Sequence, residues 1–122
     1  MKLQHQGFNL TPEAYLHREQ PDAPIYFLDI SKLENTLVQF KTGFQGMTTY
    51  AVKANPNPLV LQTLIDAGIE GFDVASVQEM QAVRALSSQV RLHYHNPLRS
   101  MREIEIAKQF DISSWSVDSV KE

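Results

Sequence analysis

The chain has 122 residues, 43% of them hydrophobic and 20% charged, which suits one modest folded domain and argues against disorder. Its formal net charge of −3 speaks against a nucleic-acid binder, and the absence of cysteine excludes disulfides and thiolate metal sites. No apolar run approaches the roughly 20 residues of a transmembrane helix and the N-terminus lacks a signal-peptide core, so a soluble cytoplasmic protein with no membrane or nucleic-acid partner is expected.

Residues 1–23 are polar and broken by Pro12 and Pro21, and read as an irregular lead-in, with Thr11-Pro12-Glu13 able to cap a short helix through Leu16. Pro24 to Asp29 is the first stretch with strand composition. Ser31 to Glu34 has the spacing of a capping box, Leu33, Leu37 and Phe40 follow at helical spacing, and Gly43 to Gly46 end that helix. Thr49 to Val52 reads as a short buried strand with Lys53 near its end, and Asn57-Pro58 as the cap and first turn of the next helix. That helix carries Val60, Leu61, Leu64 and Ile65 and stops at Gly68.

Gly71 to Ala75 is the third strand, and Ser76 to Glu79 a second box leading into Met80, Val83 and Leu86. Val90 to His95 is the fourth strand, closed by Asn96-Pro97. Ser100 to Glu103 is a third box, ahead of Ile104, Ala107 and Phe110, and Ser114 to Val117 is a fifth strand. Ser119 to Glu122 is a helix start signal with no helix after it, which reads as a chain cut from something longer. Four strand-then-helix units imply a parallel sheet with right-handed crossovers. A (β/α) barrel and a doubly wound sheet both fit this rhythm. No Gly-rich phosphate turn follows the first strand, which favours about half of a (β/α)8 barrel over residues 24–122.

Lys53 is the sharpest chemical signal, because an unpaired ammonium is costly to bury and a neutral lysine amine can form a Schiff base with a carbonyl compound. The alternative is a lysine whose stem packs while its ammonium reaches solvent or a carboxylate. Asp73, at the end of the next strand, reads as its charge partner or as a turn former, and Glu79 is explained by its capping box. His93 and His95 face the same way on one strand and, with Asp73, offer a metal-dependent hydrolase as a rival; a polar strand end is the simpler reading, so no metal is assigned. Arg99 is an anion contact or a solvated charge. Trp115 reads as core, with Asp118 at the same strand end.

Taken together, Tyr50-Ala51-Val52-Lys53-Ala54-Asn55-Pro56-Asn57-Pro58 resembles the cofactor-lysine motif of the fold-type III pyridoxal-phosphate decarboxylases, the ornithine and diaminopimelate decarboxylase group. Pro24 to Asp29 is similar to that family's lead strand, Gly71 to Ser76 with Glu79 to its GFD-AS segment, and Asn96-Pro97 and Val117-Asp118-Ser119 to further landmarks. The resemblance covers nearly all of the chain beyond residue 20. It implies the N-terminal half of an alanine racemase-like barrel in which Lys53 carries pyridoxal 5'-phosphate, with Asp73, Glu79 and His95 beside the cofactor. His95 stands where the family usually has a small residue.

The implied activity is loss of the α-carboxylate of ornithine, lysine or arginine as CO2, giving a polyamine precursor. Diaminopimelate or carboxynorspermidine decarboxylation, or a non-catalytic homologue, are the alternatives. The resemblance also implies a homodimer, and places the phosphate-binding loop, the acid facing the pyridine nitrogen, the substrate-recognising residues and a C-terminal β-domain beyond Glu122. On that reading these 122 residues alone have no decarboxylase activity and bind the cofactor weakly.

Overall fold

The computed structural model describes residues 10–120. Five helices, α1 (Pro12–Glu19), α2 (Ile30–Gly43), α3 (Pro58–Asp66), α4 (Val77–Arg84) and α5 (Met101–Ala107), accompany four strands, β1 (Thr49–Ala51), β2 (Gly71–Val74), β3 (Arg91–Tyr94) and β4 (Ile112–Trp115). The strands form one parallel sheet in the order β1-β2-β3-β4. That order separates the two architectures that the sequence left open. A doubly wound sheet reverses direction at a switch point, whereas a barrel adds each new strand beside the last. The described strands follow the barrel rule throughout.

Alternation along the strands divides the sheet into two unlike faces. Phe72, Val74, Leu92 and Tyr94 are fully buried on the face that meets the helices. There they join Leu61 and Leu64 of α3, Met80 and Val83 of α4, Ala107 of α5 and Leu37 of α2 in one core. Each such large apolar side chain contributes roughly 1.5–3 kcal/mol through burial. The opposite face carries Ala51, Asp73, His93 and Ser114 in one row across the sheet. Small and polar residues occupy it, as suits the inside of a barrel.

Most helix starts lie where the local sequence sets them. Thr11 accepts a hydrogen bond from Ala14 N–H, Asn57 from Leu59 N–H, and Ser100 and Glu103 make a complete capping box. The Ser76 box is displaced by a residue: Ser76 Oγ caps Glu79 N–H at 3.3 Å, but Glu79 Oε2 reaches Ala75 N–H at 2.9 Å. At α2 the cap is Asp29, bonded to Lys32 N–H at 3.0 Å, and Ser31 lies inside the helix. Of the apolar residues at helical spacing in this helix, Leu37 is in the core while Phe40 is 60% exposed.

Pro24 to Asp29 is not a strand. It has strand composition, yet a strand exists only through a ladder, and the sheet begins at β1. The lead strand expected before the barrel is therefore an exposed segment here, with Tyr26 88% exposed. The last strand starts two residues earlier than its composition suggests, at Ile112. The start signal at Ser119 runs outside the described residues. Among the described residues no helix is long and apolar enough to cross a membrane.

Candidate functional site

In a parallel sheet all strands end on the same edge, and the candidate residues gather at the C-terminal one. β1 ends at Ala51, opposite Asp73, and the chain turns through a 3-10 turn, Val52–Ala54. Successive side chains in such a turn point about 120° apart, so with Val52 fully buried, Lys53 is turned away from the core. Lys53 is exposed, which decides between the two readings left open for it, against a buried amine and for one that reaches solvent. Among the described residues no hydrogen bond or ion pair engages its amine. The loop behind it is braced: Asn55 Oδ1 accepts from Asn57 N–H at 3.1 Å, and Tyr50 Oη–H donates to Asn55 O at 3.5 Å.

Asp73 and His95 come together. Asp73 Oδ1 lies 3.3 Å from His95 Nδ1, the two side chains being 32% and 46% exposed. Asp73 is thus partnered by an imidazole, and no ion pair joins it to Lys53 among the described residues. Glu79 sits one turn into α4, holding the backbone at Ala75 where β2 hands over to that helix. Asn96 steadies the same junction by donating to Ala75 O at 3.1 Å, while its Oδ1 accepts from Leu98 N–H.

Ser114 is the residue that sequence reasoning missed. Its Oγ lies 2.7 Å from His93 Nδ1 and 3.4 Å from His95 Nε2, linking the two imidazoles. A bulge puts it there: Leu92 pairs with Ile112 but His93 pairs with Ser114, so Ser113 is an extra residue in β4. Nothing local in Ser113-Ser114 signals a bulge, since the slip exists only relative to β3. His93 itself is 6% exposed, and burial, reinforced by the nearby His95 and Arg91 and opposed by Asp73, holds its pKa below the usual histidine value.

Arg99 is half-buried and packed, not a solvated charge. Its guanidinium lies 5.3 Å from the Tyr94 ring centre and 5.4 Å from that of Trp115, and it donates to Asn96 O at 2.8 Å and to Ser116 O. It fastens the loop after β3 to the end of β4. As for metal binding, no group of three or more histidine, cysteine, aspartate or glutamate side chains among the described residues is arranged to hold an ion. His93 and His95, whose ring centres are 5.9 Å apart, are instead joined through Ser114.

Comparison with known proteins supplies the context for this edge. The family model described as pyridoxal-dependent decarboxylase, pyridoxal binding domain, matches residues 30–122. An ornithine decarboxylase of Panagrellus redivivus is 30% identical over 102 residues, covering 83% of this chain and 23% of the relative. A diaminopimelate decarboxylase of Helicobacter pylori is 31% identical over 103 residues, covering 81% of this chain and 25% of the relative. Among solved structures, a lysine/ornithine decarboxylase of Vibrio vulnificus complexed with putrescine superposes with a TM-score of 0.77 at 25% identity, covering 92% of this chain and 32% of that one. The chain thus spans about a quarter of the length of these curated relatives.

Proposed function

Because this chain belongs to the pyridoxal-binding-domain family of the pyridoxal-dependent decarboxylases, we propose that it is the N-terminal barrel segment of an enzyme that decarboxylates a basic amino acid of the ornithine, lysine or arginine type. The products are CO2 and a polyamine precursor, and the working form is a cytoplasmic homodimer. One observation carries the reading: Lys53 presents an exposed amine, without a partner among the described residues, at the C-terminal edge of a consecutive parallel sheet.

The residues at that edge fit pyridoxal phosphate. An aldehyde needs an accessible amine, and Lys53 provides one. Asp73 on β2 and His95 just after β3 stand together at the same edge and offer the cofactor's ring an anionic and a flat neighbour, apart from the acid for its pyridine nitrogen expected beyond Glu122. Lys53 would hold the cofactor covalently, with Asp73, Glu79 and His95 around it. When bound, pyridoxal phosphate supplies an electron-withdrawing ring that takes up the electrons left by the departing carboxylate.

The chain's own residues do the rest by position. The pinned loop of Asn55 and Asn57 fixes the backbone from which Lys53 projects. Asp73 brings negative charge to the edge, and its contact with His95 holds the imidazole beside it. Glu79 works at one remove, by anchoring the Ala75 backbone at the start of α4.

The test is to add pyridoxal phosphate to the protein that contains this chain, reduce with borohydride and locate the adduct by peptide mass. An adduct on Lys53 in the reduced sample, and CO2 release from ornithine, lysine or arginine by a separate unreduced sample, are the expected results. A protein that forms no adduct on Lys53 would refute the reading. The diaminopimelate decarboxylase among the relatives supports one second reading, release of CO2 from diaminopimelate, which the CO2 assay separates when diaminopimelate is run beside the other three substrates.

A further inference from the structure

The ring of His93 is buried with its two nitrogens in unlike surroundings. Nδ1 lies 2.7 Å from Ser114 Oγ. Nε2 faces Gly71, where an added Cβ would stand 3.0 Å from it, and no hydrogen-bond partner among the described residues reaches it. A neutral imidazole carries one proton. On Nε2 that proton would be a buried donor turned toward a glycine Cα; on Nδ1 it makes a short hydrogen bond. His93 therefore donates from Nδ1 to Ser114, in keeping with the burial that holds this ring neutral.

The direction of the remaining bonds follows. Ser114 Oγ, accepting from His93, keeps its own hydrogen for His95 Nε2, 3.4 Å away. Accepting there leaves the His95 proton on Nδ1, the atom 3.3 Å from the Asp73 carboxylate. Each donor points the same way along the row, and the chain of bonds ends on a fixed negative charge. The bulge at Ser113 is what brings the hydroxyl between the two rings.

We propose that His93 and Ser114 are positioning residues that hold His95 as its Nδ1–H tautomer against Asp73, so that His95 meets a flat heteroaromatic ligand with the face of its ring and not through an N–H. Both ring nitrogens of His95 are engaged, yet its side chain is 46% exposed, so the ring faces and the C–H edges are what it offers to a ligand. The ligand half of this inference rests on the cofactor reading above; the tautomer half does not.

Histidine-selective 15N labelling of the full chain, read above about pH 7.5 where imidazole is neutral, tests it. His93 and His95 should each show a protonated Nδ1 and a bare Nε2. In Ser114→Ala the His95 Nε2 loses its donor, so its nitrogen signal should move and the Nε2–H form should gain population against the Nδ1–H form that Asp73 still favours, while Ser114→Thr, which keeps the hydroxyl, should restore the original spectrum. A His95 that carries its proton on Nε2 in the unaltered chain, or a spectrum unmoved by Ser114→Ala, would overturn the proposal. Should Ser114→Ala fail to fold, the unaltered chain and Ser114→Thr still decide the tautomer. On adding pyridoxal phosphate, the carbon-bound protons of His95 should shift from the neighbouring ring current while its nitrogen signals stay in place; nitrogens that move to a new hydrogen bond would refute the ring-face contact. Absence of the Lys53 adduct is read separately by mass, and sinks the cofactor reading while leaving the tautomer result standing.

Discussion

The ring of His93 lies so close over Gly71 that a methyl group added there would stand 3.0 Å from its Nε2 and 3.2 Å from the backbone oxygen of Arg91. One neighbour is backbone and the other a ring held by Ser114, so neither yields cheaply. Gly71→Ala should lower stability by about 1–3 kcal/mol, as overpacking does. Gly43→Ala should do the opposite, by up to about 1 kcal/mol. A Cβ at Gly43 meets nothing within 4 Å, and the residue is helical, where alanine is favoured. Urea midpoints of the two variants check both signs at once.

Arg84 ties two strand entrances together. Its Nη1 donates to Val90 O at 2.7 Å, and its Nε and Nη2 donate to Phe110 O at 3.1 and 2.9 Å. These carbonyls stand just ahead of β3 and β4, beside the left-handed turn at Asp111. A lysine keeps the charge but cannot reach both carbonyls with a planar fork. Arg84→Lys should cost about 2 kcal/mol, the scale of charge-assisted hydrogen bonds, measured by chemical denaturation.

How legible all this was in the sequence depended on how far each feature reaches along the chain. Asn57-Pro58 and the Ser100–Glu103 box lay where expected, because a cap is settled within one turn. Pro24 to Asp29 failed as a strand for the opposite reason: aromatic and branched residues favour an extended backbone, but a ladder needs a neighbour that composition does not name. At the site, Asp73 and His95 were legible singly and not as a pair, since their contact depends on the register of β2 against β3. Ser114 was hidden by the bulge. Lys53 was found at the right edge but with its burial left open, because that depends on the strand stopping two residues before it and on Val52 taking the buried position.

The neutral His93 sets a pH dependence. Its folded pKa is lowered, mainly by burial, below the usual value of about 6.5. As pH falls below that value, the unfolded chain takes up a proton that the folded chain refuses, so the unfolded state binds more protons and stability drops. Above neutral pH both states are uncharged at this ring and it contributes no slope. Stability should therefore decline between about pH 7 and 5, and His93→Gln should flatten that decline. Glu103 acts in a lower window: its carboxyl is held below the usual range by the Ser100 backbone and hydroxyl, so its contribution is lost only as pH falls through the carboxylate range. Urea midpoints at a series of pH values, compared between the two chains, give the result.

Lys53 provides the sharpest separation between structure and chemistry. Its side chain is exposed and makes no bond among the described residues, so Lys53→Ala should change stability by less than about 0.5 kcal/mol. The same change should abolish the borohydride-trapped pyridoxal adduct. Lys53→Arg discriminates further. It preserves the positive charge that would attract a phosphate group but replaces an amine that can condense with an aldehyde by a guanidinium that stays protonated. If the lysine serves only as a counter-ion, the arginine variant should keep cofactor affinity. If it is the covalent anchor, both variants should lose the adduct while the urea midpoint stays where it was, and that combination is the expected one.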